Sequence, residues 1–108
     1  MNYPAIISKL PKIDIVADEV NGYLLQGKDN QLVFFEFSKD TTIPRHSHGA
    51  QWGIVVDGEI RLTISGVEKT YRKGDSYYVP AGAEHSGVTF AGFKAIDFFD
   101  QADRYKSG

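Results

Sequence analysis

The chain has no cysteine, one methionine and one tryptophan among its 108 residues. Without cysteine it can build neither a disulfide framework nor a thiolate metal site, and it has no thiol nucleophile. It also lacks any run of lysine or arginine, and its formal net charge is -2. That balance gives no broad electrostatic attraction to nucleic acid or to a membrane surface, and no basic helix-turn-helix segment is in evidence. No apolar run approaches the length that crosses a bilayer, and the opening Met1-Asn2-Tyr3-Pro4-Ala5-Ile6-Ile7 has no basic leader. The expectation is a soluble, cytoplasmic protein with no nucleic-acid or membrane partner, whose selectivity resides in a local site.

Apolar content of 42%, with 13% aromatics, is enough for one compact domain with its own core. Apolar residues recur with period two in short runs cut by glycine-containing turns, the pattern of many short strands and little helix. Strands are expected at Tyr23–Leu25, Gln31–Phe37, Trp52–Val56, Glu59–Ile64, Ser76–Val79, His85–Phe90 and Phe93–Phe99. Asp57-Gly58 is a hairpin signal, because both residues tolerate positive φ, and Ser65-Gly66, Lys73-Gly74-Asp75 and Ala91-Gly92 mark further turns. Eight or nine strands in so short a chain imply an all-β sandwich or barrel. The ordered part should run from about residue 13 to about residue 100, with irregular ends.

Only three histidines are present, and they fall into two short patterns: His46-Ser47-His48, and His85 just beyond Pro80-Ala81-Gly82. On an extended segment, residues i and i+2 project from one face, so His46 and His48 can aim at one point. The turn at Pro80–Gly82 can return His85 to it. Neutral imidazole is the commonest protein metal ligand, so the set reads as one metal site. If Gln51 faces that site, alternation puts Trp52, Ile54 and Val56 on the opposite face. An apolar outer stripe implies a second sheet or a partner subunit, and a homodimer is one expectation.

These patterns resemble the two motifs of the cupin superfamily, small double-stranded β-helix (jelly-roll) barrels. His46, His48, Gln51 and Gly58 fill the first motif, and Gly74, Pro80, Gly82 and His85 fill the second, with 15 residues between Gly58 and Gly74. Asp40 stands where the first motif has glycine, Gln51 where it usually has glutamate, and Thr89 where the second ends in asparagine. The resemblance implies a cupin domain over residues 1–108 and a divalent transition metal (Mn, Fe, Ni, Zn or Cu) held by His46, His48, Gln51 and His85. A glutamine oxygen completes a three-nitrogen, one-oxygen shell without adding charge, which leaves the ion a stronger Lewis acid.

Asp97 lies with Phe93, Ala95 and Phe99 on an otherwise apolar strand face. A desolvated carboxyl there has a raised pKa suited to proton transfer. The stretch Ala95 to Tyr105 also resembles the ending of small cupins that linearise unsaturated uronates released from pectin and alginate. That resemblance implies proton transfer by Asp97 and capture of a substrate carboxylate by Arg104, although Arg104 is displaced by about one position. Tyr77, Tyr78 and Trp52 are candidates for a pocket lining, a core or an interface, and Arg45 for an anion contact at the mouth. Three functions stay open: an isomerase or tautomerase for a sugar-acid or carbonyl/enediol substrate, a metal-dependent dioxygenase, and a non-catalytic metal- or sugar-binding module.

Overall fold

The structure is a computed structural model that describes residues 2–15 and 17–107. Among the described residues it contains one short helix, α1 (Ala5–Ser8), and nine strands: β1 (Val20–Gln26), β2 (Gln31–Phe37), β3 (Thr41–His46), β4 (Gln51–Asp57), β5 (Glu59–Ile64), β6 (Val67–Arg72), β7 (Ser76–Val79), β8 (His85–Thr89) and β9 (Lys94–Phe99). They form two antiparallel sheets, β1-β2-β9-β4-β7 and β3-β8-β5-β6. This is the all-β sandwich expected from the period-two pattern, in the jelly-roll form that the motif resemblance implied. Alternation decides which side chains meet between the sheets. On β2, Val33, Phe35 and Phe37 point inward, as do Val55 of β4, Ala95 and Phe99 of β9, and Ile60 and Leu62 of β5.

Asp57-Gly58 makes a tight turn but not the expected hairpin, because β4 and β5 belong to different sheets and the turn carries the chain from one to the other. Gly58 has φ of 77° and donates its N–H to the Asp57 carboxylate at 2.9 Å. A Cβ there would stand 2.8 Å from the Phe93 Cα, so this turn has no room for a side chain. Asp40, in the place of a motif glycine, accepts a hydrogen bond from the Ala91 N–H at 2.8 Å and ties the start of β3 to the neighbouring turn.

Two strands were not expected from the sequence. β6 has almost no buried residue, so no apolar alternation marks it. It is an edge strand, protected by the charges of Glu68, Lys69 and Arg72. β3 begins at Thr41, in a stretch without apolar alternation, and is held by pairing with β8 rather than by its own pattern.

Among the described residues outside α1, the ends carry only turns, bends and isolated bridges, but they are tied to the sheets. Tyr3 is buried, and its hydroxyl donates to the carbonyls of Phe35 and Ala95 at 3.2 Å each. Ile13 bridges to Ser107. The C-terminal segment is fastened by Gln31, a fully buried polar residue on the inward face of β2. Its Nε2 donates to the Tyr105 carbonyl at 2.7 Å, and its Oε1 accepts from the Tyr105 N–H at 3.0 Å. Gln31 Nε2 also donates to Gln26 Oε1, and Gln26 Nε2 donates to the Ala102 carbonyl at 3.0 Å. The Tyr105 ring then packs edge-on against Phe35 and Phe99.

Replacing Gln31 by alanine should therefore lower stability by about 3 kcal/mol, since it leaves the Tyr105 backbone N–H and C=O without partners in a buried setting. Urea unfolding measures the loss. Backbone hydrogen exchange should show its largest increase over residues 101–107.

Candidate metal centre

β3 delivers His46 and the loop after it delivers His48, while β8 begins with His85, which pairs in register with His46. The three side chains come together. Their ring centroids lie 4.1 Å apart for His46 and His85, 4.7 Å for His48 and His85, and 5.2 Å for His46 and His48. One ring nitrogen from each falls within 4.8 Å of the others, so the three could hold a metal ion.

Each Nδ1 faces a backbone carbonyl: His46 that of Pro44 at 2.8 Å, His48 that of Gly49 at 2.7 Å, and His85 that of Ala83 at 3.0 Å. A carbonyl only accepts, so each Nδ1 must carry the hydrogen, and in a neutral ring Nε2 then keeps its lone pair. Three Nε2 atoms are thereby left as donors to a cation. Such outer hydrogen bonds are the usual means of fixing tautomer and ring orientation at metal sites. Burial pushes the His48 imidazole down to about 4, with Arg104 pushing the same way and the Gly49 carbonyl opposing. Burial also lowers His85. Both effects favour the neutral form that can bind a metal.

Gln51 opens β4 and lines a cavity of about 640 Å³ that is also lined by His46, His48, His85, Asp97 and Arg104. Asp97, on β9, is only 2% exposed. Its Oδ1 accepts two hydrogen bonds, from Gln51 Nε2 at 2.9 Å and from the Tyr77 hydroxyl at 2.7 Å. Burial pushes its carboxyl up to about 6, while those two hydrogen bonds pull it down. Burial, then the neighbouring Asp97, drives the Tyr77 hydroxyl well above its ordinary value, so Tyr77 is a fixed donor. Gly53, in register with both Asp97 and Tyr77, makes this contact possible, because a methyl there would overlap Asp97 Oδ1 and the Tyr77 ring.

Arg104, assigned to a substrate carboxylate by the resemblance, lies at the cavity wall. It is partly buried against the cavity, with its guanidinium carbon 4.3 Å from the centre of the Tyr105 ring. Among the described residues its Nε is buried without a hydrogen-bond partner, a donor left unpaired at a cost. The Gln31 pairing with Tyr105, one residue on, holds this part of the chain in place. Arg45 is different: it is largely exposed, and its partner is Glu84 at 3.6 Å.

Of the aromatic candidates, Tyr77 reaches the cavity. Trp52 and Tyr78 lie in register with each other on the outer face of the five-stranded sheet, 43% and 58% exposed. Sequence reasoning missed Gln31 and Tyr105. A glutamine in the inward register of Gln31, Val33, Phe35 and Phe37 was the signal available, since a buried amide needs partners.

A model of the cupin domain family matches residues 33–91. No curated protein matches the chain. Among solved structures, an RmlC-like cupin from Shewanella frigidimarina NCIMB 400 is 28% identical, with a TM-score of 0.78 over 89% of this chain and 88% of its own. KdgF from a Halomonas species is 20% identical, with a TM-score of 0.72 over 84% of this chain and 87% of its own. A variant of oxalate decarboxylase from Bacillus subtilis is 18% identical, with a TM-score of 0.76 over 89% of this chain but 28% of its own. That enzyme has Mn(II) centres. The last two likenesses are to the fold.

Proposed function

The chain belongs to the cupin family, and from that premise we propose that it is a metal-dependent isomerase or tautomerase acting on a small sugar-acid or carbonyl/enediol substrate. The observation that carries the proposal is the set of three Nδ1-to-carbonyl hydrogen bonds, which leaves three clustered Nε2 lone pairs at the wall of a cavity. His46, His48 and His85 are the nitrogen ligands in this account, and Gln51 supplies a neutral oxygen. With imidazoles dominant, Mn, Fe, Ni, Zn and Cu all suit the set. When bound, such an ion supplies Lewis acidity toward a substrate oxygen.

The chain's own residues do the rest. Arg104 brings a positive charge and an unpaired buried Nε–H to the cavity, a combination suited to a carboxylate, which a guanidinium can grip with two parallel bonds. Asp97 holds or releases a proton at Oδ2, because both of its hydrogen bonds fall on Oδ1. A carboxylate grip beside a proton-moving acid suits an unsaturated uronate, the substrate class implied by the likeness of Ala95 to Tyr105 to uronate-linearising cupins.

The outer face of the five-stranded sheet supports a homodimer. Phe98, Trp52 and Tyr78 lie side by side across β9, β4 and β7, each more than a third exposed. An apolar aromatic row of this kind suits a protein partner.

Elemental analysis of protein purified without chelators should find about one transition metal per chain, lost from a His46→Ala/His48→Ala variant, as a three-imidazole site requires. Protein that takes up none of the five ions when they are added would overturn the proposal. With an unsaturated uronate as substrate, loss of its double-bond absorbance should be seen, and Arg104→Ala should raise KM roughly tenfold or more, the worth of a charged hydrogen bond. In sedimentation equilibrium the wild type should be dimeric and Trp52→Lys monomeric.

A further inference from the structure

An amide side chain has nearly the same shape in its two orientations, but one presents an oxygen and the other an NH2 group. For Gln51 the difference decides whether a cation beside the three histidines meets a ligand or a repelling donor. Nothing in the sequence of the first motif fixes that orientation.

From the structure we infer that Asp97 and Tyr77 are positioning residues that set the Gln51 amide with its oxygen toward the histidines. This inference rests on the reading of His46, His48 and His85 as metal ligands. The geometry is specific. Asp97 Oδ1 can only accept, from either partner, so long as any proton on the carboxyl sits on Oδ2. It receives Gln51 Nε2 at 2.9 Å, which commits the NH2 end of the amide to β9. The oxygen end is then the one left for the cavity that Gln51 shares with the three imidazoles. The Tyr77 hydroxyl, at 2.7 Å from the same oxygen, keeps the carboxyl from swinging away, and the missing side chain at Gly53 leaves the space in which the two meet.

The arrangement also accounts for glutamine in place of the glutamate common to this motif. A carboxylate at position 51 would face the Asp97 carboxylate across a hydrogen-bond distance and could pair with it only by taking up a proton. An amide supplies the donor to Asp97 and still offers an oxygen to the metal. Residues 51 and 97 are thus one unit, adjacent in space but 46 positions apart.

The test is a double-mutant cycle read by cobalt(II) affinity, from competition with a chromophoric chelator, and by the visible absorption of the bound cobalt. Gln51→Ala, which removes the oxygen ligand, and Asp97→Leu, which removes the group that orients it, should each weaken cobalt binding by about tenfold or more. The double variant should bind no more weakly than the weaker single variant, within about twofold, because the second change removes nothing that remains. The cobalt spectrum of Asp97→Leu should match that of Gln51→Ala. Asp97→Asn, which keeps an acceptor oxygen, should retain both the affinity and the spectrum of the wild type. If leucine prevents folding, Asp97→Ala carries the same cycle. Wild-type affinity in Asp97→Leu, or losses that multiply in the double variant, would overturn the inference while leaving the three-histidine site intact. A wild type that takes up no cobalt would overturn the metal reading itself, and the inference with it.

Discussion

The carbonyls of Pro44, Gly49 and Ala83 each hold one histidine by Nδ1, and the chemistry available to this protein follows from that. A histidine with Nδ1 committed to an acceptor has a single lone pair to offer, and its direction is that of the ring. Three such rings 4.1 to 5.2 Å apart form a donor set only because their tautomers agree. Backbone carbonyls, unlike titratable side chains, give this constraint without adding charge near the cation. Burial and the Arg104 charge then keep His48 neutral at ordinary pH, so the set does not have to shed a proton there before it can bind.

The fold supplies that constraint from separate parts of the chain. β3 and β8 pair so that His46 and His85 lie opposite each other, and the five-stranded sheet places Gln51 and Asp97 on adjacent strands. Packing between the sheets excludes water from Asp97 and makes its carboxyl harder to ionise. The far side of the cavity depends on the last turn of chain, where the amide of Gln31 holds Tyr105 and thereby Arg104. The Arg104 guanidinium and the three imidazoles are kept at one cavity by unrelated sets of hydrogen bonds.

Much of this was legible in the sequence, for reasons that can be stated residue by residue. Strands with one apolar face announced themselves by alternation, as in Gln31–Phe37 and Glu59–Ile64. Glycine turns were marked by a backbone requirement that other residues meet poorly, as at Gly58. The i, i+2 histidines declared a shared face, and Asp97 stood out as an acid among apolar neighbours. What could not be read was anything carried by partners distant in sequence. β6 had no buried face to show. The hold on Arg104 could not be read because its anchor, Gln31, lies 73 positions earlier, and the sequence does not show that a buried amide there pairs with the next residue's backbone. The hydrogen bond from Gln51 to Asp97 was hidden for the same reason.

The most direct test of the account is the tautomeric state of the three histidines, read by long-range proton-nitrogen NMR on metal-free protein at neutral pH and again after addition of zinc. The account predicts the hydrogen on Nδ1 for His46, His48 and His85, and movement of all three Nε2 resonances when zinc binds. A hydrogen on Nε2 in any of the three, or zinc binding that leaves their Nε2 resonances in place, would contradict it.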